Sequence, residues 1–315
     1  MANLFTSPGD GGLSVNVDVF GSFGSSIGSE AGNAFYDPVG PISEAGTAFE
    51  SGVAIRIGDS GPRTFLTTGD IGGSGNLTNP GFINPTDTST QSSFSFGNLN
   101  FVLTQTVEDT FSEGERTGSL LTQSYTITNN NEANTSFELI RYLDGDLLFD
   151  GSLTDGGGRI TSSGKEILFE TDTAAGTSDS STFVGITANG GDTSLNRFEL
   201  DSFSGLRSRI INGTVLDEII TGDGSDADQF VDAGNGFDIT LAFRNGFDLA
   251  PGEEVTYTTT TIFGSGVPEE FSINNPPIVT DPLNPVVGTE VNDGLQGTDG
   301  DDSLEGLGGR DALDG

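Results

Sequence analysis

Residues 119–143 read SLLTQSYTITNNNEANTSFELIRYL. In the first half Leu121, Tyr125 and Ile127 fall on one face of an alternating pattern, with Thr and Ser between them. In the second, Phe137, Leu139 and Arg141 oppose Glu138, Ile140 and Tyr142. A period of two is the signature of a strand, because successive side chains in extended backbone point to opposite faces. The NNNEANT between the halves has the composition of a turn, which predicts two long antiparallel neighbours in a meander.

The same alternation recurs on either side. Leu13, Val15, Val17 and Val19 alternate with polar residues through residues 13–20. VAIRI at 53–57 and RTFLTT at 63–68 form a strand pair around GDSGP, and 94–107 reads as one or two strands with Gly97 as a bulge or turn. Further strands are expected at 159–161, 166–170, 182–188, 196–200, 206–212, 237–244 and 254–263. TVLDEII at 214–220 is the one helix candidate. Many short strands, Gly-rich turns and almost no helix predict an all-β fold, a large antiparallel β-sandwich over residues 1–263. That span exceeds a single immunoglobulin domain of ~100 residues, so one enlarged sandwich is expected.

Residues 264–287 hold five of the twelve prolines, at 268, 276, 277, 282 and 285. Proline fixes φ and removes a donor, so this stretch reads as a semi-rigid linker. Beyond it, residues 288–315 read GTEVNDGLQ, GTDGDDSLE, GLGGRDALD and a final G. On a period of nine, glycine recurs at 288, 297, 306 and 315, aspartate at 293, 302 and 311, and leucine at 295, 304 and 313. Glycine permits tight turns, aspartate adds carboxylate oxygens to them, and the leucines supply an apolar spine that only stacking buries. Oxygen donors without His or Cys suit a hard cation, Ca2+ above all.

This stretch resembles the repeats-in-toxin (RTX, haemolysin-type) nonapeptide family. The resemblance implies the truncated start of a parallel β-roll, because Val291 replaces a family glycine and the three units break off at Gly315. It implies calcium ligands among Asp293, Asp299, Asp302 and Asp311 and the backbones of Gly297, Gly300, Gly306 and Gly308. In the family each ion lies between alternate repeats, so Asp293 would share one with Asp311 while Asp302 lacks its partner. The resemblance also implies export from bacteria by type I secretion without an N-terminal signal peptide, hence an extracellular protein whose array folds when it meets calcium. Composition alone offers a plainer alternative, a disordered acidic tail with eight acids against one arginine.

The chain has 315 residues and a net charge of −36, and residues 1–287 alone carry 39 acids and 10 bases. Such a surface repels nucleic acid and anionic membranes. No run approaches the ~20 apolar residues of a membrane span, so membrane insertion is not expected. Without His or Cys, imidazole and thiolate catalysis are excluded. Carboxylate chemistry remains. Asp144 with Asp146, in RYLDGDLLFDG, and Glu253 with Glu254 are the candidate acid pairs. DGD also reads as a simple turn between strands at 136–143 and 147–149, and that reading is preferred. Asp223, Asp226 and Asp228 share one acidic loop without EF-hand spacing. With no Trp, only Tyr36 or Tyr142 is left as a sugar platform.

Two functions follow. The first is a secreted, non-enzymatic calcium-binding protein with an adhesive or matrix sandwich, whose partner is a cell-surface or matrix glycan or protein. The second is a secreted carbohydrate-active hydrolase whose repeats serve export and stability. The absence of a dense catalytic constellation in residues 1–287 favours the first.

Overall fold

The computed structural model describes residues 1–26, 34–67, 81–112, 114–162, 165–172, 181–225, 228–265 and 268, together with four short strands near the C-terminus. In chain order the elements are β1 (Ala2–Phe5), β2 (Gly12–Val17), β3 (Ala34–Asp37), β4 (Ala45–Gly46), β5 (Ala48–Ile57), β6 (Thr64–Phe65), β7 (Phe82–Ile83), β8 (Ser89–Phe96), β9 (Leu99–Ser112), β10 (Glu115–Asn129) and β11 (Thr135–Gly145). They continue with β12 (Gly156–Ser162), β13 (Lys165–Thr171), β14 (Thr182–Asn189), β15 (Phe198–Ser202), helix α1 (Phe203–Ile211), β16 (Ile239–Leu249) and β17 (Glu254–Ser265). The short strands are β18 (Pro285–Val287), β19 (Gly294–Gln296), β20 (Ser303–Glu305) and β21 (Ala312–Asp314).

The fold is an all-β sandwich. An eight-stranded antiparallel sheet runs β12-β13-β14-β17-β10-β9-β8-β7, and a five-stranded one runs β15-β16-β11-β5-β6. A four-stranded sheet, β1-β2-β3-β4, completes the body. Phe101, Leu103, Leu121, Tyr125, Ile127, Leu139, Leu143 and Tyr257 are among the buried core residues of these sheets. The alternation read at 119–127 is therefore real: Leu121, Tyr125 and Ile127 face inward, while Thr122, Ser124 and Thr126 form the half-buried opposite face. Thr on that face matches its preference for a pleated, half-covered surface.

The connection between the two halves of the opening stretch differs from expectation. β10 pairs with β9 and β17, whereas β11 pairs with β5 and β16, so the chain crosses from one sheet to the other at residues 130–134 rather than closing a hairpin. Asn129 holds the corner. Its Nδ2 donates to the carbonyls of Leu249 at 2.8 Å and Ala133 at 3.0 Å, and its Oδ1 accepts from the Asn131 N–H. Local alternation fixes the strand, but a side-chain amide at a corner fixes its neighbour. Around Gly97 the expectation holds: Gly97 and Asn98 both take positive φ, which joins β8 to β9 as a tight hairpin.

The helix is also displaced. FSGLRSRII over 203–211 is helical where a strand was expected, and 214–219 is irregular where the helix was expected. Leu206 and Ile210, four apart, pack with Ile140, Tyr142, Ala242 and Phe65 on the outer face of the five-stranded sheet. In the segment that follows, Glu218 has φ of 57°, incompatible with helix, and the Asp217 N–H bonds the Glu199 carboxylate.

The chain divides into two compact units, residues 1–272 and 273–315. In the second, β18 pairs with β20 and β19 with β21, both in parallel, with Val286 opposite Leu304 and Leu295 opposite Leu313. β18 lies within the stretch expected to be linker. Among the described residues no helix is long and apolar enough to cross a membrane.

Candidate carboxylate site

β11 lies at the centre of the five-stranded sheet, and its C-terminal end brings Asp144 opposite Glu50 of β5 and Thr240 of β16. The register slips between Asp144 and Gly145, a bulge that re-aims the strand end. Asp144 is thus a buried strand residue, and no strand follows at 147–149. This corrects the turn reading: in DGD only Asp146 lies beyond the strand, and it is half-buried. The Tyr142 hydroxyl donates to Asp144 Oδ2 at 3.4 Å.

Four further acids gather at this end of the sandwich: Asp155 before β12, Glu170 and Asp172 at the end of β13, and Asp238 before β16. Glu170 shares the inward face of β13 with Leu168 and occupies the space left by the absent side chain of Gly145, where a Cβ would collide with its carboxylate. Glu170 is fully buried and Asp155 nearly so. Among the described residues no N–H or O–H donates to either Glu170 oxygen or to Asp155 Oδ1. A desolvated carboxylate without a donor is costly, so burial and the nearness of the two acids drive both toward the protonated form.

The electrostatics follow from burial and crowding. Burial, then the charges of Asp238, Asp146 and Glu50, push Asp144 up to about 8. Burial and Asp238 push Asp146 up to about 6. Burial and Asp150 raise Asp172 to about 6, against the hydrogen bond from the Phe149 N–H. Burial also raises Asp238, and burial with their mutual proximity raises Asp155 and Glu170. The charges acting on Asp144, Asp146, Asp155 and Glu170 are all negative, while the nearby Glu50 is already held by Arg207. One acid that keeps its proton through neutral pH beside another that loses it is the arrangement general acid–base chemistry requires.

The other sequence candidates lie elsewhere. Glu253 accepts the Ala250 N–H at 2.7 Å and closes the turn before β17, and Glu254 accepts from Thr128. Asp223 accepts the Gln229 N–H and Asp228 the Phe230 N–H, both at 2.9 Å, so these acids shape their own loop; Asp226 lies outside the described residues. Tyr36 and Tyr142 are fully buried, which removes them as sugar platforms. Asp293, Asp299, Asp302, Asp311, Gly297, Gly300, Gly306 and Gly308 lie outside the described residues. Among the described residues no group of three or more acids is arranged to hold a metal ion. Sequence reasoning missed Asp155, Glu170, Asp172 and Asp238. For Glu170 a signal existed, an acid two residues after Leu168 on the apolar face of KEILFET.

No protein-family model matches the chain, and no curated protein does. Similar solved structures include a GalM/aldose epimerase homologue from C. elegans, 10% identical over 84% of this chain and 98% of that one, with a TM-score of 0.41. A galactose mutarotase related enzyme from Lactobacillus acidophilus is 7% identical over 84% of this chain and 97% of that one, at 0.38. A polysaccharide lyase is 10% identical over 71% of this chain, at 0.36. The chain spans 26% of that lyase's length. Similarity at this level carries no argument about activity.

Proposed function

We propose that this chain is a secreted carbohydrate-active hydrolase with an acid–carboxylate site at one end of its sandwich and C-terminal repeats that serve export and stability. The reading is supported by one observation above the rest: Asp144 and Asp146 sit among carboxylates whose nearest cation, Arg207, is taken by Glu50, and burial with this crowding holds their proton affinities near 8 and 6. Asp144 supplies the proton to the leaving oxygen of a glycosidic bond. Asp146, the more exposed of the two, takes the carboxylate role, assisting the attack of water. The test is release of reducing ends from a panel of neutral and acidic polysaccharides. Activity lowered about 10²–10⁴-fold by Asp146→Asn supports the reading. Silence across the panel refutes it and restores the non-enzymatic adhesive or matrix protein, whose partner is a surface glycan or protein.

A specific observation favours calcium binding by the C-terminal unit as well. Strands pair in parallel between residues 286 and 304 and between 295 and 313, offset by two nonapeptides, as an alternate-repeat roll requires. Aspartates 293, 302 and 311 fall between these strands in sequence. Circular dichroism with calcium and with chelator, on this chain and on one lengthened by several nonapeptides, tests it. The lengthened chain should gain strand signal with calcium, and identical spectra in both conditions would rule the repeats out as calcium ligands.

A further inference from the structure

The four-stranded sheet turns a different kind of surface to solvent. Leu4 of β1, Val15 of β2 and Tyr36 of β3 belong to the core and are fully buried. Alternation sends their neighbours Phe5, Ser14 and Phe35 to the opposite face, and the register sets these side by side, Phe5 opposite Ser14 and Ser14 opposite Phe35. Phe5 is 40% exposed and Phe35 42%. Two strand spacings, about 10 Å, separate them. Between them stands only the small Ser14, and beyond Phe35 the next strand offers Gly46, so no large side chain in this row covers either ring. Single exposed apolar residues are ordinary, but two aromatic rings in register on one outward face are a patch.

Beside Phe5 a hollow of about 360 Å³ opens between Ser14, the turn that follows β1, Asp37 and Glu44. Asp37 lies two residues beyond Phe35 on β3 and therefore on the same outward face, where it is half-buried; Glu44 is exposed. Neither carboxylate has a hydrogen-bond donor or an ion-pair partner among the described residues. Arg116, which reaches this turn, is already taken by Asp109 and the Ser7 carbonyl. The patch thus combines aromatic faces with acceptors in want of donors. Its acids repel an anionic ligand, and a second copy of this chain would set the same acids, and a net charge of −36, against themselves. A neutral sugar chain meets both demands, because its C–H faces pack on phenyl rings while its hydroxyls donate to carboxylates.

We infer that this face is a non-catalytic platform for a neutral polysaccharide, whose sugar rings stack on Phe5 and Phe35 and whose hydroxyls donate to Asp37 and Glu44. The choice of a saccharide rests on the carbohydrate reading above; the pairing of aromatic faces with free acceptors does not. Titration calorimetry on the full chain with cellohexaose, xylohexaose and mannohexaose tests it, with hexagalacturonate and hexalysine as charged probes and circular dichroism as the check on folding. At least one neutral hexasaccharide should bind, with an affinity that added salt leaves unchanged, and hexagalacturonate should not. Phe5→Ala and Phe35→Ala should each weaken that binding about tenfold, and Phe5→Tyr and Phe35→Tyr should keep it. Asp146→Asn should bind as the native chain does. Hydrolysis without binding at these phenylalanines would sink this inference alone, and binding here without hydrolysis would sink the enzyme reading alone. The inference is overturned if no neutral hexasaccharide binds, if both alanine variants bind as the native chain does, or if hexalysine is the probe whose binding the two phenylalanines control, which would mark a protein-docking face instead.

Discussion

Arg141 Nε donates to Thr259 Oγ1 at 2.9 Å, joining the five-stranded sheet to the eight-stranded sheet through the interior of the sandwich. Its other nitrogens reach Thr261 Oγ1 at 2.9 Å and the Gly52 carbonyl at 3.1 Å, and the guanidinium lies over the Phe23 ring. Burial lowers its proton affinity to about 10, so it remains a cation at neutral pH. Arg141→Ala leaves buried acceptors unpaired and opens a cavity, and should cost about 3–5 kcal/mol in denaturant unfolding. Arg141→Met removes the charge while keeping the volume, and should cost less than alanine. Equal losses would mean that packing contributes nothing at this position.

Glu138 holds the opposite sign of the same problem. Burial raises its proton affinity, but hydrogen bonds and charge from Arg244, Arg63 and Arg56 outweigh it and leave the carboxyl below its ordinary value. Glu138→Gln strands three guanidiniums and should destabilise the sandwich by about 3–5 kcal/mol. This group's contribution is present above its unfolded value near 4.5 and is lost as pH falls through the lower folded value.

The carboxylate end behaves in reverse. Asp144, Asp146 and Asp172 bind protons in the folded protein up to about 8, 6 and 6, whereas unfolded carboxyls release them near 4. The folded state therefore holds more protons than the unfolded one from about pH 4 upward, and stability falls as pH rises through these values. The melting temperature in high salt, which screens the surface acids, should decline between pH 5 and 9. Glu170→Gln removes one titrating group from this end, so its curve should be flatter. A melting temperature that climbs over this interval would contradict the raised proton affinities.

Gly145 is needed for space rather than for conformation. Gly145→Ala forces the new methyl against Glu170 and should destabilise by about 1–3 kcal/mol. Combined with Glu170→Ala, the added cost should shrink, and strict additivity in a double-mutant cycle would show that the two do not touch.

Much of the fold was legible because strand formation is a local property. Alternation at 119–127 and at 137–143 marks two strands wherever they pair, and glycine with asparagine at 97–98 marks the hairpin. The nine-residue leucine interval did not say which strands pair: Leu295 aligns with Leu313, two intervals on, and not with Leu304. Which sheet a strand joins is not local: the crossing at 130–134 depends on Asn129 reaching Leu249 and Ala250, about 120 residues away in sequence. The helix at 203–211 likewise gains its stability from a sheet surface that its own residues do not encode.

The candidate site divides along the same line. Asp144 and Asp146 are neighbours in the chain and could be named from it; their meeting with Asp155, Glu170 and Asp238 arises only when three distant strand ends converge. Composition and periodicity established an acidic, all-β molecule with a nonapeptide tail, since both are properties of adjacent residues. Folding alone decided which acids lose water and which arginines gather at Glu138, because desolvation and Coulomb energy depend on distance through space and not on separation along the backbone.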